Sequence, residues 1–438
     1  MTNPENTTIN LAGLGITELN EMQQQANEAI QQNSEVVLLA PTGSGKTLAF
    51  LLPVASFLKL ETDHVQCMVI VPTRELALQI EQVWKKMSTG FKVTCCYGGH
   101  DMRTEIRSLV EAPALIVGTP GRILDHIRRN SFTGRHISTL ILDEFDKSLE
   151  LGFQEEMSEI VRNLRNVKKK VLVSATTTKI PSFTSIKAPV TVDFVTNKNK
   201  SAGLTVVQVL AEKDKMTTLV KLLSFLGAES TLIFCNQRDS VERISAVVKE
   251  EGIDCAYFHG KLEQEDRERT LIRFRNGSVL FLAATDLAAR GLDIPDMKHV
   301  IHFELPMKGD EFTHRNGRTA RMLAEGTAYI LMDKEDKLPE YISSKPKVLD
   351  LPAKFAAPPV SDWVTIYISG GKKSKLNKMD IVGFLLQKGK LEKQDLGLIE
   401  VKDNISFAAV KRGKAKAMLQ LIAPEKMKGK KYKIEVAR

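Results

Sequence analysis

The chain has 438 residues, more than a single hydrophobic core serves, with 43% hydrophobic and 26% charged residues in a globular balance. No apolar run reaches about 18 residues, the first 20 residues are polar, and the five cysteines (Cys67, Cys95, Cys96, Cys235, Cys255) lack metal-like spacing. Neither a membrane span nor a signal peptide is expected, and a reduced cytoplasm fits best. The net charge is +9, but residues 361–438 hold 18 Lys plus Arg against 8 Asp plus Glu, a local excess of +10 that leaves the remainder at −1. A near-neutral body with a basic tail points to a polyanionic partner, most often nucleic acid.

In chain order, residues 36–40, 67–71, 114–118, 139–142 and 171–173 are short apolar runs separated by helical patterns. They read as buried strands of a parallel sheet covered on both faces. The pattern restarts after "TNKNKSAG" with "TVVQVL", "STLIFCN", "DCAYFHG", "SVLFLAAT", "HVIHFEL" and "GTAYILM". Two α/β domains are therefore expected, over 1–197 and 204–345. The stretch "LPAKFAAPPVSD" marks a linker over 346–360. Beyond it, 361–438 reads as strand, helix, strand, strand, helix, strand, a small α+β domain.

"APTGSGKT" (40–47) lies between a predicted strand and a helical run. Its glycines let backbone N–H groups turn toward a phosphate at a helix N-terminus. Thr42, Gly43, Ser44 and Gly45 form that loop, Lys46 reaches the β- and γ-phosphates, and the Thr47 hydroxyl suits Mg²⁺. "LILDEFD" ends another apolar strand about 100 residues later. Alone, its acids also fit the start of a helix. Paired with the phosphate loop, Asp143 becomes a Mg²⁺ ligand through water, and Glu144 the group that orients or deprotonates the attacking water.

These motifs, with "PTRELALQ" (72–79), "YGG" (97–99), "TPGR" (119–122), "SAT" (174–176), "FHGKLEQEDR" (258–267), "ATDLAARGLDIP" (284–295) and "HRNGRTAR" (314–321), resemble the DEAD-box RNA helicases over residues 13–340. The resemblance implies two RecA-like domains that use ATP and Mg²⁺ and bind RNA. It places Gln23 on the adenine edge, Asp293 on the ribose, and Arg318 and Arg321 as arginine fingers. Asp146, Ser174, Thr176 and His314 would couple hydrolysis to closure. Pro72, Thr73, Arg74, Gly98, Gly99, Thr119, Pro120, Gly121, Arg122, Gln264, Arg267 and Thr285 would touch the RNA backbone, which suits binding without sequence readout.

Three positions depart from the family pattern. Phe145 replaces an alanine, Asn316 an aliphatic residue, and Ile16 a common aromatic. The Phe145 change implies a repacked local core with ATPase activity retained.

The tail is similar to the C-terminal RNA-binding domain of DbpA-type bacterial helicases, an RRM-like fold that in that group recognises a hairpin of large-subunit ribosomal RNA. Tyr367 and Phe407 are candidates for base stacking, and Lys372, Lys373 and Arg412 for phosphate contacts. The expected activity is RNA-stimulated ATP hydrolysis that locally unwinds structured RNA, in ribosome assembly, by a monomer. An ATP-gated RNA clamp and an inactive scaffold are the rival readings.

Overall fold

The structure, a computed structural model, describes residues 9–60, 62–99, 101–195, 204–289, 297–319, 326–342, 345–352 and 360–437, without the side chains of 287 and 288. All counts are of these residues. The chain divides into two compact units that meet in sequence at Ala202 and Gly203.

The first unit is built on one sheet: β1 (Glu35–Leu39), β2 (Cys67–Ile70), β3 (Val93–Cys96), β4 (Leu115–Gly118), β5 (Thr139–Asp143), β6 (Lys169–Ser174) and β7 (Val190–Asp193). The order across it is β3-β4-β2-β5-β6-β1-β7, and every pairing is parallel. Successive residues of β1 point to opposite sides. Val36 and Leu38 join one apolar cluster, Val37 and Leu39 the other. Both sides are therefore core, which is why the strands read as unbroken apolar runs. The expected strands are all present. The sheet adds β3 and β7 at its two edges, where less burial leaves a weaker apolar signal.

Six helices of this unit carry site residues: α1 (Glu21–Gln32), α2 (Lys46–Phe57), α3 (Arg74–Lys86), α4 (Met102–Val110), α5 (Pro120–Arg128) and α6 (Phe145–Glu150).

The second unit holds a second parallel sheet: β8 (Leu204–Leu210), β9 (Thr231–Cys235), β10 (Cys255–Phe258), β11 (Phe281–Thr285), β12 (His299–His302), β13 (Gly326–Met332) and β14 (Lys347–Val348). Its order is β10-β11-β9-β12-β13-β8-β14. Only the two-residue edge strand β14 was not expected.

A small antiparallel sheet completes this unit: β15 (Trp363–Ile368), β16 (Leu396–Val401), β17 (Ser406–Lys411) and β18 (Ile434–Val436), in the order β16-β17-β15-β18. Helices Lys378–Gln387 and Arg412–Ile422 cover one face through Val364, Ile366 and Ile368. Two parallel sheets flanked by helices plus a small α+β domain are the expected fold class. Among the described residues no helix is long and apolar enough to cross a membrane.

Candidate functional site: a phosphate loop, an acidic strand end and a neighbouring group of loops

Strand order sorts the motifs of the first unit. The loops after β3, β4 and β2, which are neighbours, carry Gly98–Gly99, Thr119–Arg122 and Pro72–Arg74. The loops after β5, β6 and β1, also neighbours, carry Asp143–Asp146, Ser174–Thr176 and the phosphate loop. One edge of one sheet thus holds two adjoining groups, and ligands of open α/β sheets bind at that carboxyl edge.

In the phosphate loop Gly43 and Gly45 have φ of 80° and 87°, which a residue with a Cβ rarely adopts. Lys46 opens α2. Its buried ammonium donates to the carbonyls of Ala40 at 2.7 Å and Pro41 at 3.0 Å, so the cation sits inside the loop it closes. Asn20 and Gln23 form a capping box at the start of α1. Gln23 Oε1 accepts from the Asn20 N–H at 3.1 Å, and its Nε2 donates to the Gly45 carbonyl at 3.3 Å. The amide expected on adenine therefore caps α1 through its oxygen and holds the phosphate loop through its nitrogen, and a Cβ at Gly45 would overlap it. The neighbouring Asn20 Nδ2 donates to the Ser44 carbonyl at 3.1 Å. Thr42, Ser44 and Thr47 stay partly exposed around the loop.

Asp143 ends β5 and is buried. One carboxylate oxygen accepts the Glu144 N–H at 2.9 Å. Burial, reinforced by the Glu144 carboxylate, pushes the Asp143 carboxyl up to about 7, against the pull of Lys46 and of that N–H. Glu144 adopts left-handed backbone, φ 48° and ψ 45°, a conformation that costs about 1–3 kcal/mol for a residue with a Cβ. Its Oε2 and the Asp146 Oδ1 are buried with no hydrogen-bond partner. The other Asp146 oxygen accepts from the Thr176 hydroxyl at 2.7 Å. Thr176 is in turn held by Ser174, whose Oγ accepts the Thr176 N–H at 3.0 Å and donates to the Thr176 carbonyl at 2.7 Å. The acidic turn and "SAT" are thus one bonded unit.

Phe145 is 1% exposed and belongs to the apolar cluster that includes Leu142, Leu172 and Ile123. The left-handed turn at Glu144 lets α6 begin with this ring in the core while the acids on either side of it keep free oxygens. The larger side chain is absorbed by packing.

At the other group of loops, Thr73 caps α3 through Oγ1, and Pro120 takes the first turn of α5. The Arg74 guanidinium lies against Gly98 and Gly99. Gly99 has φ of 100°, and a Cβ there would overlap the guanidinium. Arg122 Nε is 2.8 Å from Glu105 Oε2, a buried carboxylate that sequence reasoning missed. Glu105 sits in an ordinary amphipathic helix, and only its burial distinguishes it.

In the second unit, Gln264 and Arg267 follow β10, and Thr285 ends the adjacent β11. The Arg267 guanidinium carbon lies 4.9 Å from the centre of the Phe258 ring. Arg318 and His314 are buried. Asn316 is explained by His302, whose Nε2 is 2.9 Å from Asn316 Oδ1. Burial and the nearby Arg315 push that imidazole down to about 3. Arg315, unassigned in the sequence, is a buried clamp: it donates to Asp286 at 2.7 Å, to Asn236 Oδ1 at 2.7 Å and to the Glu304 carbonyl, tying the ends of β9, β11 and β12. Asp293 and Arg321 lie outside the described residues.

The tail domain corrects one expectation. Phe407 is fully buried against Ile272 of the Gln264–Arg275 helix, with Tyr367 edge-on to it at 5.8 Å. Around this contact Asn276 Nδ2 donates to Thr365 Oγ1 at 3.2 Å, Ser278 bonds the same hydroxyl, and Arg275 pairs with Glu400 at 2.8 Å. Phe407 therefore stacks on protein. The part of the sheet face around Phe407 and Thr365 is covered by the second core sheet's own helix, while Tyr367 stays half-buried. Arg412 also differs: its guanidinium donates to the carbonyls of Ser361 at 2.6 Å and Trp363 at 3.2 Å, a brace within the domain. Lys372 and Lys373 are exposed. The register Ile368↔Ser406 and Ile368↔Ile434 brings loops 369–377, 402–405 and 427–433 to one end of this sheet. Lys372 and Lys373 N–H groups bond the carbonyls of Lys402 and Asp403, and Lys428 bonds the Lys375 carbonyl, so the three loops form one surface.

Residues 20–182 match the DEAD/DEAH box helicase family, 214–323 the helicase conserved C-terminal domain, and 365–436 the DbpA RNA binding domain. The chain is 30% identical to the ATP-dependent RNA helicase DbpA of Bacillus subtilis, covering 98% of this chain and 96% of that protein. It is 31% identical to the DbpA of Escherichia coli over the same shares. In fold it is similar to S. cerevisiae Dbp5 bound to RNA and ADP BeF3, with a TM-score of 0.69 and 24% identity over 78% of this chain and 92% of that one. With its phosphate loop, its acidic strand end and its tail matched along nearly the full length, the chain belongs to the DEAD-box ATP-dependent RNA helicases and carries a DbpA-type RNA-binding domain.

Proposed function

We propose that this helicase separates short stretches of structured RNA that its tail domain has already gripped, that the RNA is ribosomal and belongs to the large subunit during assembly, and that the enzyme works as a monomer. The observation that carries the reading is the lysine surface of the tail. Lys372, Lys373, Lys375, Lys430 and Lys431 are exposed on loops joined at one end of the sheet, while Phe407 is covered and Tyr367 is half-buried. Clustered cations beside a single half-buried tyrosine suit a folded, backbone-presenting RNA better than a single strand, which needs several open aromatics. The ribosomal target rests on the resemblance of the tail to its group.

The ATP site supports an assignment of roles. Gly43, Gly45 and the N-terminus of α2 would cradle phosphates, with Lys46 exchanging its loop carbonyls for phosphate oxygens. Gln23 would exchange the Gly45 carbonyl for the adenine edge. Asp143 and Thr47 would hold Mg²⁺, and the fit is physical: a buried carboxylate with a raised pKa beside two unpartnered buried carboxylate oxygens is a setting that a cation stabilises. When bound, the metal would neutralise phosphate charge. Glu144, with its free Oε2, would align the attacking water and take its proton. Asp146, Thr176 and Ser174 would carry the state of that turn to β6, and His314, Arg318, Arg321 and Asp293 keep the roles that the family resemblance implies.

The test is ATP hydrolysis by the full-length protein without RNA, with generic RNA and with large-subunit ribosomal RNA. Stimulation by ribosomal RNA well above generic RNA supports the reading. Equal stimulation by any RNA refutes the ribosomal target. A strand-displacement assay on a duplex beside the gripped segment separates unwinding from clamping.

A further inference from the structure

Glu105 is a buried carboxylate outside every motif named above. It lies on α4, 2% exposed. Its Oε1 accepts the Tyr97 N–H at 3.0 Å. Its Oε2 is 2.8 Å from Arg122 Nε and 2.6 Å from His126 Nε2. Tyr97 immediately precedes Gly98–Gly99, on which the Arg74 guanidinium rests. Arg122 and His126 stand one turn apart on α5, after β4. One carboxylate therefore joins the turn that supports Arg74 to the helix that carries Arg122. A buried anion is retained only where such partners repay its desolvation.

We propose that Glu105 is a positioning residue for RNA: it sets the distance and the orientation between Arg74 and Arg122, so that both guanidinium groups meet successive stretches of one RNA backbone. The inference rests on the reading of Arg74 and Arg122 as backbone contacts. The geometry gives Glu105 a specific means. Its Oε2 stands 2.8 Å from Arg122 Nε, an ion pair that holds this guanidinium at the start of α5. The Tyr97 bond fixes the start of the glycine turn, and Arg74 can lie flat on Gly99 only while that turn keeps its left-handed backbone. Neither arginine needs a long-range search for its place when RNA arrives, which lowers the cost of ordering on binding.

Cys96, Glu105 and His126 also place one donor atom each within 4.8 Å of one another, an arrangement a metal ion uses. Two observations argue for the ion-pair assignment instead. Arg122 stands on the same carboxylate oxygen that His126 approaches. Burial pushes the Cys96 thiol well above its usual range, away from the thiolate that binds metals.

The test uses full-length protein with Glu105→Gln, Glu105→Ala and Arg122→Ala, read as the RNA concentration that half-saturates ATPase stimulation, alongside KM for ATP and the unfolding temperature. Glu105→Ala is expected to raise the half-saturating RNA concentration roughly tenfold or more, as removal of a buried charge-assisted hydrogen bond does. Glu105→Gln, which still accepts the Tyr97 N–H, should fall between it and the parent, with KM for ATP within about twofold of the parent, the size of a change expected away from the nucleotide. Because Glu105 and Arg122 act as a unit, the Glu105→Gln, Arg122→Ala double variant should weaken RNA no more than Arg122→Ala alone. If Arg122→Ala leaves RNA affinity intact, the RNA-contact reading of that loop fails. If Arg122→Ala weakens RNA while both Glu105 variants only lower the unfolding temperature, Glu105 is structural and the proposal is overturned. Stoichiometric zinc in the purified protein that disappears in Glu105→Ala would likewise overturn it in favour of a metal site.

Discussion

The carboxyl edge of the first sheet and the face of the tail sheet that carries Tyr367 and Phe407 are both places where a ligand was expected, and they are finished differently. At the first, Glu144 Oε2 and Asp146 Oδ1 are buried without partners, and Glu144 is held in left-handed backbone. Native proteins rarely leave buried polar atoms unpaired, so such atoms mark where something else completes the coordination. At the second, most groups that meet the Gln264–Arg275 helix are paired, with Asn276 Oδ1 left buried and unpartnered and Tyr367 half-buried. Phe407 packs on Ile272, Thr365 bonds Asn276 and Ser278, and Glu400 pairs with Arg275. The contrast teaches where to look for a ligand: unpaired carboxylate oxygens at the first sheet's edge support the nucleotide site proposed above, and the covered Phe407 supports the proposed RNA grip on the tail's loops.

The comparison can be broken first at Glu144. Glu144→Gln keeps shape and burial but removes the base, and RNA-stimulated hydrolysis should fall by about 10²–10⁴-fold with ATP binding retained, measured by steady-state turnover and nucleotide titration. A smaller drop would return the unpaired oxygen to structure rather than chemistry.

The packed side of the contrast is tested by two phenylalanines. Phe145→Ala and Phe407→Ala each remove a fully buried ring, at about 3–5 kcal/mol of stability in the unit concerned. Denaturant unfolding checks the value. Phe145→Ala should leave turnover nearly unchanged at a temperature where the protein stays folded. Phe407→Ala should leave affinity for generic single-stranded RNA unchanged, since its ring meets Ile272 and no base.

A third prediction concerns pH. His302 is buried, stacked on Phe312 at 4.6 Å, and its pKa is lowered to about 3, first by burial and then by Arg315. Its neutral form is the native one, so protonation favours the unfolded chain. The stability of the second unit should be intact above about pH 6.5 and fall by about 1.4 kcal/mol per pH unit as pH drops from there toward 3. His302→Gln should flatten that slope in a pH series of unfolding curves.

The smallest effect is expected at the tail loops. Lys372→Glu and Lys373→Glu should weaken RNA binding modestly and lower the slope of log affinity against log salt by about 1 for each phosphate that is no longer neutralised. An unchanged slope would move the grip elsewhere on the tail.

Much of this was legible beforehand because it is local. The phosphate loop, the acids that end β5 and the Ser174–Thr176 pair each occupy a few consecutive residues at the end of an apolar run, and the strand pattern alone shows that they share one edge of a parallel sheet. The edge strands β3, β7 and β14 were harder to see, since partial burial weakens the apolar signal that marks a strand. The bracing bonds of Arg412 were not legible, because a guanidinium that braces two carbonyls looks in sequence like one that waits for a phosphate.

By itself, then, the sequence determined the two parallel sheets, the phosphate site, the acidic turn and the basic character of the tail, for each follows from short-range periodicity and composition. Tertiary structure alone decided three things: that Phe145 turns into the core, that Phe407 is covered by the Gln264–Arg275 helix, and that Glu105 meets Tyr97, Arg122 and His126. Each depends on partners brought together by sheet order or by domain packing. A side chain's partner across such a contact leaves no trace in its own stretch of chain.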